Sequence, residues 1–285
     1  MADLIKKIRT SSGDLQIDYN SLANKPELGA MFSNPNLLIN SDFRNPVNQR
    51  GKTVYEEQTE RYGIDRWLIY NGIKEEVHYD FITLKNTVNF TSYFGQKFEF
   101  PLYNYSSYVI TLDVGTLVGN INVTIGNQTE TTNSHTLVSG VNVFYIQPYE
   151  MTSSMDQLML TLEPGAEVNL GYIKLEQGSI ATPFASRSYG EELLLCKRFY
   201  QVTKCYRTFW TDLYNNEFVE NVPYGIDMRA IPRVTANITD SYNVTDLSVS
   251  DGGDVCAYRV ACKPTESGGI GHRFEMYVIA DAEIY

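Results

Sequence analysis

Between residues 108 and 177, apolar and polar residues alternate in short runs, most of which end at turn residues. In INVTI, Ile121, Val123 and Ile125 fall on one face and Asn122 and Thr124 on the other. LMLTL repeats the pattern with Leu158, Leu160 and Leu162. A period of two over a few residues is the signature of a half-buried strand, because successive side chains leave opposite faces of the pleat. YVITLDVG (108–115) and VNVFYIQ (141–147) read the same way. In VNLGYIKLEQG the apolar positions move from Val168 and Leu170 to Ile173 and Leu175, a shift of one that predicts a bulge at Gly171. Strands in succession with no helical stretch between them can hide their apolar faces only against another sheet. The expected fold is mainly β, with an antiparallel jelly-roll sandwich over residues 34–186.

The periodicity changes once. In SYGEELLLCKRFYQV, Ser188 and Glu191 form a capping-box pattern, with Glu191 and Glu192 at the start and Lys197 and Arg198 toward the end. A helix is expected there, with Leu195, Phe199 and Val202 on one stripe. It would lead into a C-terminal antiparallel β domain, residues 187–285, built from CYRTFWTD, RVTANITD, DVCAYRVACK and HRFEMYVIADAEIY. Pro232 belongs at a strand start or sheet edge, since it has no N–H to donate. Residues 1–33 are too short and polar to fold alone, and read as an arm for attachment or oligomerisation.

Composition narrows function mainly by exclusion. A net charge of −11 repels nucleic-acid phosphates and anionic lipid, so neither nucleic-acid binding nor membrane insertion is expected. MADLIKKIRTSSGD lacks an apolar stretch of signal-peptide length, so folding in a cytosol is expected. Cys196, Cys205, Cys256 and Cys262 form no CxxC pair, and His78, His135 and His272 are scattered, which favours packed, reduced thiols over a zinc site. No phosphate-binding loop, nucleophile elbow or HExxH motif occurs, and the chain is expected not to be an enzyme.

Aromatic residues are the remaining lead. The chain has 21 Tyr, 13 Phe and 2 Trp. Tyr93, Tyr103 and Tyr105 lie among Asn and Ser in one segment, and Trp210 and Tyr214 in another. Sugar rings present C–H faces that pack on such side chains while neighbouring polar groups hold their hydroxyls. Alternate aromatics filling a core or a subunit interface fit the same pattern. Trp67, leading into LIY, reads as a core anchor.

NLLINSDFRNPVNQRG (36–51), YGIDRWLIYNG (62–72) and GYIKLEQGSIATPFASRSYGEELLLCKRFYQ (171–201) together resemble the body of bacteriophage tail-fibre and receptor-binding proteins. MRAIPRVT (228–235) and the terminal DAEIY are similar to that family too, and SSGDLQIDYNSLANKPEL (11–28) resembles its attachment segments. Phe199 stands where the family more often has Tyr. The resemblance implies a homotrimer in the tail of a virion or prophage-derived particle, assembled in the host cytoplasm. It implies an arm joined to other tail or baseplate proteins and distal domains that meet host surface polysaccharide or protein. Jelly rolls of the carbohydrate-binding type often hold a structural calcium ion, which places Asp42 and Glu176 as candidate ligands and Lys174 where an acid would help more. Rival readings are a ligand-free baseplate or decoration protein, the binding module of a carbohydrate-active enzyme, and a polysaccharide depolymerase. From the residues alone, Leu37, Leu38 and Ile39 read as a buried first strand, Asn40 to Asp42 as its turn and Phe43 as a core plug.

Overall fold

The computed structural model describes residues 7–10, 13–16, 33–56, 61–70, 72–127, 130–211, 217–266 and 270–283. Within the arm, Lys7–Thr10 (β1) and Gly13–Gln16 (β2) pair as an antiparallel hairpin. The following strands are Val54–Glu56 (β3), Arg61–Tyr62 (β4), Leu68–Ile69 (β5), Ile73–Val77 (β6), Ile82–Asn86 (β7) and Ser92–Leu102 (β8). Tyr108–Val118 (β9), Ile121–Gly126 (β10), His135–Thr136 (β11), Gly140–Ile146 (β12), Met155–Leu162 (β13) and Glu167–Gln177 (β14) complete the first sandwich. Its sheets run β11-β10-β13-β8-β5-β4 and β12-β9-β14-β7-β6-β3. From β7 to β10, and again from β12 to β14, successive strands alternate between the two sheets, as a jelly roll requires. All pairings are antiparallel, and no helix among the described residues is long and apolar enough to cross a membrane.

The alternation read from the sequence is what fills the core. Ile121, Val123, Ile125, Leu158, Leu160 and Leu162 from one sheet meet Ile110, Leu112, Val168, Leu170, Ile173 and Leu175 from the other, all without solvent exposure. The phase change in β14 is real: its register against β9 slips on both sides of Leu170. A Cβ at Gly171 would lie 2.4 Å from the Asp113 carboxylate, so a larger residue there would have to displace that side chain.

The stretch 36–43 is not a strand. Leu37 is exposed, while Leu38, Ile39 and Phe43 are buried. Its ends still bond to β14, Leu37 N–H to Leu175 O and Phe43 N–H to Gly171 O, but between them side chains take over: Leu38 N–H donates to Asn36 Oδ1, and Gln96 bonds both the N–H and the carbonyl of Ile39. Asn40 turns the chain with a positive φ of 57°, and its amide spans Val47 and Asp65. Trp67 is the core anchor expected of it. It stacks on Phe94 at 4.8 Å, meets Phe43 edge-on at 5.1 Å and donates its indole N–H to Asn40 O.

Tyr189–Lys197 (α1) begins with the full reciprocal capping box of Ser188 and Glu191. The helix is shorter than its apolar stripe suggested. Phe199 lies in the turn after it, and Val202 is already in Tyr200–Thr211 (β15), because pairing with the C-terminal strand captures the chain at Tyr200. Phe218–Pro223 (β16), Arg233–Tyr242 (β17), Val244–Ser250 (β18), Ala257–Pro264 (β19) and Ile270–Asp281 (β20) follow. They form two three-stranded sheets, β15-β20-β17 and β16-β19-β18, around a separate core that includes Tyr258, Phe274 and Met276. Pro232 precedes β17, which is an edge strand. Cys196, Cys205 and Cys262 are buried free thiols; Cys256 is exposed, contrary to a packed role for all four.

The chain end returns to the first sandwich. The Arg66 guanidinium, fully buried, pairs with Glu283 at 2.6 Å and lies 3.6 Å over the Phe199 ring. Arg50 pairs with Asp65 at 3.1 Å and lies 3.8 Å over the Tyr200 ring. Burial lifts the Asp65 carboxyl to about 6, with Arg50 pulling the other way.

A candidate ligand groove on the jelly-roll sheet

The outer face of the β10-β13-β8-β5 sheet carries three parallel rows of side chains, set by cross-strand register. Asn122, Thr161 and Tyr93 form one row. Thr124, Met159, Gly95 and Leu68 form the next. Gly126, Gln157 and Lys97 form the third. Because Gly95 has no side chain, the middle row is low, and a groove of about 500 Å³ opens over it. That volume lies in the range of ~300–1,000 Å³ usual for small-ligand sites. Gly95 is required by the sheet itself, since a Cβ there would stand 2.4 Å from Leu158 O.

The two walls differ in chemistry. On one side Tyr93 and Tyr70, 39% and 41% exposed, meet edge to face at 5.8 Å with their planes at 73°. The Tyr70 N–H donates to Tyr93 O, which ties the second ring to the strand carrying the first. On the other side stand Lys97, Gln157 and Asp156. Asp156 sits at a register break, where five residue steps from Lys97 to Leu102 oppose two from Met155 to Gln157. Such irregularities re-aim side chains. Its Oδ1 is buried without a hydrogen-bond partner. Lys97 makes no ion pair among the described residues, with Asp156 or any other acid.

The other aromatic candidates are not in this groove. Tyr103 and Tyr105 are exposed and stack on each other at 5.2 Å in the turn between β8 and β9. Tyr103 borders a different, smaller hollow of about 250 Å³ with Phe100 and Leu37. Trp210, 69% exposed, lies on the outer face of the second sandwich, its indole over Gly271 of β20. Tyr214 lies outside the described residues. Tyr70, Lys97, Asp156 and Gln157 escaped the sequence reading. No local motif marks them, because the groove exists only once β5, β8 and β13 are in register.

The calcium expectation does not fit the residues present. Asp42 is held by Arg44 at 2.7 Å and by Ser186 Oγ at 2.5 Å. Burial works against its charge, but Arg44 and Ser186 outweigh this and keep its carboxyl below the usual range. Glu176 accepts from Thr182 N–H and Oγ–H and pairs with the Lys174 ammonium at 3.2 Å. That ammonium, itself buried, also meets Thr182 Oγ1, Thr182 O, Pro183 O and Ser33 Oγ within 3.2 Å. Each carboxylate therefore already has its cation, and Lys174 fills the oxygen cage beside Glu176. Among the described residues no three His, Cys, Asp or Glu side chains gather as a metal site.

No protein-family model matches the chain. No curated protein matches it either. Among solved structures it is similar to wild-type discoidin II from Dictyostelium discoideum, at 8% identity over 68% of this chain and 78% of that one, with a TM-score of 0.21.

Proposed function

We propose that the protein is a tail-fibre or receptor-binding protein of a bacteriophage or prophage-derived particle, and that its jelly-roll groove holds a glycan of the bacterial surface. The observation that carries the glycan reading is the groove itself, with a two-tyrosine wall facing a wall of Lys97, Gln157 and Asp156. A pyranose has an apolar C–H face and a hydroxyl-bearing rim, and these two walls complement the two sides. The virion part of the proposal is supported by the paired phrases at 36–72 and 171–201.

Binding without hydrolysis suits the same groove. Glycoside cleavage ordinarily uses two carboxyl groups across the scissile bond. Asp156 is the one carboxylate among the residues that line the groove. A homotrimer would present three such grooves together and turn weak single-site affinity into firm attachment.

Sedimentation of fluorescently labelled protein with host cells, alongside Tyr93→Ala, tests the adhesive reading. Binding lost in the variant is expected; equal binding by both would refute a role for the groove. Light scattering tests the trimer, and a stable monomer at micromolar concentration would contradict it. Release of fragments from host polysaccharide would favour a depolymerase instead.

A further inference from the structure

We infer that the groove selects an uncharged, hydroxyl-rich sugar and rejects both acidic and amino sugars. The inference rests on the groove being a glycan site. Its polar wall carries one cation, Lys97, and one anion, Asp156, and the two do not neutralise each other in an ion pair. A uronic acid or phosphate drawn to Lys97 would meet the Asp156 carboxylate on the same wall. An ammonium drawn to Asp156 would meet Lys97. Like-charge juxtaposition in a partly desolvated site discriminates more strongly than a missing attraction.

A neutral pyranose uses both groups without penalty. The Asp156 carboxylate accepts from one hydroxyl, Lys97 donates to a hydroxyl or ring oxygen, and the neighbouring Gln157 does either. Tyr70, Tyr93 and the Met159 side chain meet the apolar face. The net charge of −11 adds long-range repulsion of polyanionic glycans; against amino sugars it works the other way, so their rejection rests on Lys97 alone.

Titration calorimetry of the intact protein against neutral mannan, galactan and glucan, against alginate and polygalacturonate, and against chitosan tests this. At least one neutral polymer is expected to bind with little dependence on salt, and the charged polymers are not. Asp156→Asn should weaken the neutral ligand about tenfold or more, by removing a charge-assisted acceptor. It should also admit a polyuronate, because only Lys97 then remains charged. Lys97→Gln should admit chitosan by the mirror argument. Both side chains are at the surface of a groove, and circular dichroism confirms that each variant is folded.

Tight, salt-sensitive binding of alginate or polygalacturonate by the wild type would overturn the selectivity. If Tyr93→Ala then abolished that binding, the groove would still be the glycan site. If no polymer bound, or if Tyr93→Ala left binding unchanged, the groove reading would fail and the selectivity with it.

Discussion

Glu75 makes the jelly roll sensitive to pH in a way that a single substitution isolates. Its side chain points between the sheets from β6, fully buried, and no hydrogen bond of ordinary geometry reaches either oxygen. Gly63 makes room for it, since a Cβ there would sit 1.7 Å from the carboxylate. Burial raises its pKa from 4.5 to about 8, with the Ile64 backbone and Arg50 pulling weakly the other way. Between those two values the folded protein holds a proton that the unfolded chain releases, so stability falls as pH rises through the window. With each pKa unit worth ~1.36 kcal/mol, ionisation of the unfolded chain at pH 7 costs the folded state about 3 kcal/mol, against about 1 kcal/mol at pH 5. Glu75→Gln keeps the shape and removes the proton. Wild-type stability should therefore drop by about 2 to 3 kcal/mol more than the variant's between pH 5 and pH 7. Asp65, raised to about 6, slopes the same way in both proteins and cancels in the difference. Urea unfolding at the two pH values measures it. Parallel stability profiles for the two proteins would refute the assignment of a protonated acid to this position.

Lys174→Met should cost about 3–5 kcal/mol, because it leaves Glu176 buried without its cation. The wild-type melting temperature should stay the same whether calcium or a chelator is added; a rise with calcium would show that the cage beside Glu176 takes a metal after all. Glu283→Ala should cost a similar ~3–5 kcal/mol by stranding the Arg66 guanidinium beneath Phe199. A loss below about 1 kcal/mol in urea unfolding would mean that water reaches Arg66 and that the chain end is not docked as described.

Strands were legible where side-chain period and burial agree. The faces of Ile121–Ile125 and Leu158–Leu162 follow directly from alternation, and the Gly171 bulge from the break in it. The capping box located the helix start because its chemistry is local. Its end was misread, since Phe199 and Val202 extend the apolar stripe while their backbone belongs to a turn and a strand. Leu37 to Ile39 mimic a strand in composition, but after Leu37 the side chains of Asn36 and distant Gln96 take the backbone bonds of Leu38 and Ile39. Of the groove, only Tyr93 could be picked out, as one aromatic among many. Its partners on the polar wall join it through pairings between residues sixty or more positions apart, such as Tyr93 with Thr161 and Lys97 with Gln157. Lys174 already stood out as a poor neighbour for a cation, but that it turns onto Glu176, and Arg44 onto Asp42, was not legible, because residue type alone does not say which way a side chain turns.

The most direct test of the central claim compares Tyr93→Ala with Trp210→Ala in calorimetric binding to one polysaccharide that the wild type holds. Loss of a stacked ring is worth roughly 1 kcal/mol or more, about a fivefold weakening per site and more in a multivalent assembly. Weaker binding by Tyr93→Ala, with Trp210→Ala unchanged, is the predicted result. The reverse pattern would move the site to the second sandwich and contradict the account.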